Sequence, residues 1–229
     1  ITLREDSVKE GELIMTLDEE IKEINNQVYQ MFSAAISSCQ TAFKYYCSNG
    51  GCNLNIKIDD DEINDYEREI ESLCMQVLLK EKVYSSDLRK VSGALKMIQD
   101  IERIGDHAYD IKWMSDDIKL LGNMDQIPGM EEMIQIVNSL ALDSLQAFVK
   151  MDEDLALEII KRDDVADKKY WDLIQYLAYL GQNQKISSKN AIYQTHIVKF
   201  LERIGDQATN IAEWVVYMIN GYHKDKVII

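Results

Sequence analysis

Apolar residues recur at intervals of three and four along most of the chain, the spacing that gathers them on one face of a helix. From 17 to about 46 they are Ile21, Ile24, Val28, Met31, Phe32, Ala35 and Ile36. The turn-forming cluster Ser48-Asn49-Gly50-Gly51 ends that run. A second helix, with Ile63, Ile70, Leu73, Val77 and Leu78 inward, is expected to reach about 82. Ser85 or Ser86 is positioned to cap a third that extends to about 121, and Asp87 in its first turn suits the helix dipole. Gly122-Asn123 and Pro128-Gly129 bracket the densest group of breakers and set a boundary between two halves. Beyond it, helices are predicted over 131–149, over 152–180 and from a Ser187 or Ser188 cap to about 222. The fifth carries Leu155, Ile159, Ile160, Tyr170, Leu173, Ile174 and Leu177. Period-2 runs are short and lack paired turns, so no strand is expected. Short loops favour antiparallel neighbours within each half, which gives an all-α fold of two tandem three-helix bundles.

An internal repeat supports the division. Glu102-Arg103-Ile104-Gly105-Asp106 recurs letter for letter as Glu202-Arg203-Ile204-Gly205-Asp206, and Ala108 and Ile111 recur as Ala208 and Ile211. The resulting map is an N-terminal extension (1–14), a first repeat (15–122), a second repeat (129–222) and a tail (223–229).

On a helix turning about 100° per residue, Glu102, Asp106 and Asp110 form one narrow acidic stripe. Glu202, Asp206 and Asn210 form its counterpart, with Glu213 next in line, and the isoleucines and alanines of the motif face the other way. Such a stripe can simply be solvated. However, like charges four residues apart cost a few tenths of a kcal/mol per pair, and neither copy intersperses lysines. Each copy also carries an interior glycine, Gly105 or Gly205, at a cost of roughly 1 kcal/mol relative to alanine, which predicts that another backbone packs close by. A second acidic run precedes each motif, Asp60-Asp61-Glu62-Ile63-Asn64 in the first half and Asp163-Asp164-Val165-Ala166-Asp167 in the second. Carboxylates brought together from two helices need a cation, and all-oxygen donor sets suit hard or borderline divalent ions. The candidate ligands are therefore Asp60, Asp61, Glu102, Asp106 and Asp110 in one half, and Asp163, Asp164, Asp167, Glu202, Asp206 and Asn210 in the other. His107 lies beside the stripe, about 100° from Asp106, and is expected to pack or bond locally; Arg103 and Arg203 are expected to pair with neighbouring helices.

Composition narrows the function classes. A net charge of −15 opposes a nucleic-acid surface, which needs a basic footprint to displace counterions. Cys39, Cys47, Cys52 and Cys74 form no C-x-x-C pair; a loop disulfide between Cys47 and Cys52 is conceivable, and reduced thiols in a cytosolic protein are the expectation. No apolar run approaches the roughly 18 residues of a membrane span, so membrane association would be peripheral and through partners. A carboxylate-bridged di-metal oxidoreductase needs Glu-x-x-His, but Ile104, Tyr193 and Asn220 stand three residues before His107, His196 and His223. A helical adaptor without metal is the other alternative. Trp113, Trp214, Tyr217 and Met218 are open to either of two uses, a dimer surface or core packing.

The segments Ser85-Ser86-Asp87-Leu88-Arg89 through Asp106-His107-Ala108, and Leu201 through Glu213, resemble the signature of the PhoU family of phosphate-signalling regulators. The likeness runs from about 15 to 222. It implies a cytoplasmic, non-enzymatic homodimer whose motifs bind metal ions (iron, zinc, manganese, nickel or magnesium), in some members as multinuclear clusters. It further implies repression of phosphate-starvation signalling, with the ATPase subunit of a phosphate transporter and a sensor histidine kinase as partners. An acidic stripe repels phosphate unless a cation inverts the local field, so a metal or a partner would have to mediate any sensing. Asp110 stands where the pattern more often has asparagine, Trp113 matches Glu213 and Gln207 matches His107, which implies unequal metal occupancy of the two halves.

Overall fold

The computed structural model describes residues 16–48, 60–80, 83–121, 127–223 and 226–227. The extension at 1–14, the turn at 49–51, Cys52 with its possible disulfide, the side chain of Asp60 and the breaker pair Gly122-Asn123 lie outside the described residues. Six helices follow in order: α1 Leu17–Cys47, α2 Asp60–Leu78, α3 Ser85–Leu120, α4 Met130–Lys150, α5 Glu153–Gln182 and α6 Ser188–Asn220.

Local chemistry explains most of the ends. Thr16 caps α1 in a reciprocal capping box with Glu19, whose carboxylate accepts from the Thr16 backbone N–H at 2.8 Å. Asp152 caps α5 by accepting from the Leu155 N–H at 3.0 Å, and Ser187 caps α6 by accepting from the Asn190 N–H at 3.1 Å. Gly221 closes α6 at φ 84°, in the left-handed region that glycine enters without steric cost. The serine cap expected for α3 is not formed. Tyr84 occupies the cap position and makes no side-chain bond, and Ser85 is already the first helical residue. Here the Tyr84 carbonyl accepts from the Asp87 and Leu88 N–H groups, so the backbone starts the helix unaided.

α1, α2 and α3 form one bundle and α4, α5 and α6 the second. α3 and α6 are the longest helices, and they run antiparallel along each other to join the two. Ser92 meets the Tyr217 hydroxyl at 3.0 Å, Trp214 Nε1 donates to Asp100 at 3.2 Å, and the His107 ring stacks on Phe200 at 5.5 Å. This seam uses three of the four apolar residues considered for a dimer: Tyr217 and Met218 are buried and Trp214 is half-buried, while Trp113 stays 51% exposed. The seam also requires a glycine: a Cβ on Gly93 would fall 2.6 Å from Met218 Cγ. The close backbone expected at the motif glycine is absent at Gly205. A Cβ there would meet only side chains, Leu140 at 3.7 Å and Ala166 and Val137 at 3.8 Å.

The core is continuous through both bundles, and Ile101, Ile104, Ala108 and Ile111 with Leu201, Ile204, Ala208 and Ile211 are all fully buried. Burial of one face of each motif leaves the acidic residues half-buried at the helix boundaries. Past α6, Tyr222–His223 pairs antiparallel with Lys226–Val227. A two-residue ladder is too short to leave an alternation in the sequence, so it was not expected. Its His223 ring stacks on Trp214 with centroids 3.8 Å apart. No helix among the described residues is long and apolar enough to cross a membrane.

Candidate metal centre

In the second bundle α5 and α6 run antiparallel and bring their polar stripes face to face in layers. Asp163 meets Thr209, whose hydroxyl donates to its carboxylate at 3.1 Å. One turn along, Asp167 of α5 and Glu202 and Asp206 of α6 offer three carboxylate oxygens that all lie within 4.8 Å of one another. In the next layer the Lys199 ammonium sits 5.1 Å from the centre of the Tyr170 ring and is ion-paired with Glu202. On α5, Asp163, Asp167 and Tyr170 fall at i, i+4 and i+7; on α6, Lys199, Glu202, Asp206 and Thr209 share one stripe, so the second copy does carry a lysine among its acids, against the expectation from the sequence.

The electrostatics match this crowding. Burial, followed by the charges of Glu202, Asp163 and Asp167, pushes the Asp206 carboxyl up to about 7, and Lys199 only partly offsets them. Burial also raises Asp163, opposed by the Thr209 hydrogen bond and reinforced by Asp167, Asp164 and Glu202. A positive charge placed among these oxygens would favour the ionised form of the raised Asp206 and Asp163 carboxyls. An oxygen-only donor set at this spacing fits a hard or borderline divalent ion.

Of the candidates in this half, Asp167, Glu202 and Asp206 are brought together and Asp163 adjoins them. Asp164 is exposed, though still close enough to raise Asp163, and Asn210 is half-buried one turn beyond Asp206. Glu213 is directed to the tail, 4.0 Å from His223.

In the first bundle Glu102 and Asp106 are half-buried on α3. On α2, Glu67 lies near Asp106: burial, then Glu71 and Asp106, hold its carboxyl above the usual range, against Arg68. Asp61 is exposed and borders a different groove with Glu62, Asp65, Tyr66 and Glu69. Asp110 turns to His107, with Oδ2 3.6 Å from Nδ1. Burial holds the His107 imidazole below its ordinary value despite that carboxylate, and its ring packs on Phe200.

Glu67 was missed although the sequence carried a signal for it. It lies four residues after Ile63 and three before Ile70, both fully buried, so it is an acid in an inward stripe. Asp163 has the same phase, four after Ile159 and three before Ala166. Glu67 and Glu71 are thus the repeat counterparts of Asp163 and Asp167. Thr209, Lys199 and Tyr170 were also missed; Thr209 lies within the signature segment but on no acidic position of it, no motif marks the other two, and the facing of α5 on α6 reveals all three.

Comparison with known proteins agrees with the duplicated architecture. A family model described as the PhoU domain matches residues 21–112 and 130–215, one match in each half. A phosphate-specific transport system accessory protein PhoU homolog from Clostridium acetobutylicum is 30% identical over 212 residues, covering 91% of this chain and 96% of its own. A homolog of the same description from Pseudomonas aeruginosa is 32% identical over 180 residues, covering 76% and 72%. The crystal structure of the phosphate transport system regulatory protein PhoU from Streptococcus pneumoniae superposes with a TM-score of 0.82 at 25% identity, over 93% of this chain and 100% of that one. PhoU from Pseudomonas aeruginosa superposes with a TM-score of 0.71 at 25% identity, over 90% and 96%.

Proposed function

The chain belongs to the PhoU family, and on that premise we propose that it is a metal-binding negative regulator of phosphate uptake and phosphate-starvation signalling. Relatives named as accessory and regulatory proteins of phosphate transport support a regulatory rather than catalytic role. In this reading the protein is a cytoplasmic homodimer that acts between the ATPase subunit of a phosphate transporter and a sensor histidine kinase.

The observation that carries the metal-binding part is the convergence within 4.8 Å of exposed Asp167 with half-buried Glu202 and Asp206. Asp167, Glu202 and Asp206 would hold the ion, with Asp163 oriented beside them by Thr209; in the first bundle, where no three carboxylates among the described residues converge to that spacing, Glu67 and Asp106 are the nearest equivalent. A divalent ion supplies, when bound, the positive charge that favours the ionised Asp206 carboxylate. It also offsets locally a net charge of −15 that otherwise repels phosphate and phosphorylated partners. Magnesium, manganese, iron, zinc and nickel are all compatible with such donors.

The regulatory reading is tested by deleting the gene in its host and following a phosphate-starvation reporter in phosphate-rich medium. The reporter is expected to rise on deletion and to fall again with the wild-type chain, but not with the Asp106→Asn/Asp206→Asn double variant. A reporter indifferent to deletion overturns the regulatory assignment, and full rescue by the double variant overturns the role given to metal.

A further inference from the structure

The hairpin of α5 and α6 departs from the charge of the rest of the chain. Acids outnumber lysines and arginines 40 to 25 overall, yet residues 173–201 contain no Asp or Glu and three lysines, Lys185, Lys189 and Lys199. Each lysine is set over a tyrosine: in that order, the ammoniums lie 5.0 Å from the centre of the Tyr179 ring, 5.5 Å from Tyr193 and 5.1 Å from Tyr170. Such cation–π contacts hold the charged heads in place without neutralising them. Lys199 also pairs with Glu202, whereas Lys185 and Lys189 are exposed. Among these lysines the two helices leave a groove of about 360 Å³, whose walls include Ile174 and Ala178 of α5 and Ala191, Ile192, Thr195 and His196 of α6. All its lining residues belong to these two helices. Ile192 remains 56% exposed, and Tyr179, beside Ala178, 48%. Lys189 lies one turn before Ile192 and Lys199 one turn after Thr195, so a cation stands at each end of the α6 wall.

We propose that this groove docks an acidic, amphipathic helical segment of a partner protein, its apolar side chains seated against Ala178 and Ile192 and its carboxylates directed to Lys185 and Lys189. The α6 wall runs from Ser188 to His196, about 12 Å at 1.5 Å per residue, which matches two turns of a helix laid along it. An apolar face in such a groove is a recurring mode of recognition, read at positions three and four residues apart. Charge selects the occupant. A chain of net charge −15 repels an acidic segment over most of its surface and attracts it at the hairpin, which fixes where it settles. A basic segment is drawn instead to the acidic faces elsewhere. The walls are recessed between the helices, a shape that takes an inserted side chain better than a flat lipid surface. A contact of this size suits a transient association rather than a permanent one. The groove lies on the same seam as the carboxylate layer, since Ile174, Tyr170 and Asp167 share one stripe of α5, but docking there requires no metal.

The experiment pans a phage-displayed library of random peptides, about 15 residues or four helical turns long, on the full chain. A recovered peptide, labelled with fluorescein, is then titrated by anisotropy with wild type, Ile192→Ser and Lys185→Gln/Lys189→Gln. All three positions are exposed, and circular dichroism and the thermal midpoint confirm that each variant folds as wild type does. Recovered sequences are expected to carry Asp or Glu beside apolar residues spaced three and four apart. Ile192→Ser should weaken binding by about fivefold, as loss of part of an isoleucine's burial predicts. The lysine pair should weaken it by about threefold and flatten its salt dependence. Recovered peptides without an excess of acids, or with binding indifferent to both variants, overturn the proposal. So does a library that yields no binder, whether or not vesicles containing phosphatidylglycerol bind wild type and lose Ile192→Ser. A wild-type dimer that Ile192→Ser dissociates in sedimentation gives the groove to a second copy of this chain and overturns it equally. Each of these outcomes leaves the metal reading standing, because manganese binding is measured separately.

Discussion

Asp206→Asn should stabilise the metal-free protein at alkaline pH and cost nothing comparable in acid. The Asp206 carboxyl is raised from an ordinary 3.8 to about 7, chiefly by burial and then by Glu202, Asp163 and Asp167. A carboxyl that holds its proton more tightly when folded makes folding take up a proton between those two values. The sign follows: stability is highest in acid and is lost as pH rises from about 4 through about 7. Without screening the loss at pH 8 would be roughly 4 kcal/mol, at 1.36 kcal/mol for each tenfold change in proton affinity. The carboxyl is only half withdrawn from water, so screening reduces this to about 1–2 kcal/mol. Urea unfolding followed by circular dichroism, with chelator present, at pH 5 and pH 8, measures it. Part of it is already lost at pH 5, so wild type should lose the larger part, not all, of that amount between the two, and Asp206→Asn should recover most of it at pH 8. Added manganese should stabilise wild type at pH 8 by more than it stabilises the variant, which keeps only the first-bundle acids intact. An Asp206→Asn variant that loses as much stability at pH 8 as at pH 5 would refute the picture of mutually repelling, half-buried acids.

Two further perturbations separate packing from chemistry. Gly93→Ala should destabilise by about 1–3 kcal/mol, because its Cβ would sit 2.6 Å from Met218 Cγ and force the α3–α6 seam apart; Gly205→Ala should be neutral or stabilise by up to about 1 kcal/mol, since only ordinary contacts await its Cβ. Denaturant midpoints for the two variants on opposite sides of wild type are the expected result. Glu67→Gln should lower manganese binding in the first bundle, whereas Asp61→Asn, on the exposed groove with Asp65 and Glu69, should leave it near wild type; calorimetric stoichiometry distinguishes them, and the reverse order would return the site to the start of α2.

The fold was legible because its signals are local and repeated. Ile21, Ile24 and Val28 mark a buried stripe without reference to any other helix, and the second copy of the Glu-Arg-Ile-Gly-Asp motif doubles whatever the first establishes. The α6 half of the candidate site was legible for the same reason: Glu202 and Asp206 are four residues apart, and a helix alone puts them on one line. The partner residues were harder. α2 is acidic on several sides, and choosing Glu67 over Asp61 requires the phase of Ile63 and Ile70 against α3. Thr209 and Lys199 acquire a role only from the antiparallel register of α5 on α6, a tertiary fact with no short-range signature. Gly205 misled in the opposite sense: an interior glycine suggested a neighbouring backbone, while the space beside it is filled by Leu140, Ala166 and Val137 side chains.

The measurement that reaches the central claim most directly is diffraction at the manganese absorption edge from crystals of the full chain grown with manganese(II). The account predicts an anomalous peak among the carboxylate oxygens of Asp167, Glu202 and Asp206, and a second peak between Glu67 and Asp106. Crystals saturated with manganese that show no anomalous density at either place, with those carboxylates turned to bulk water, would contradict it.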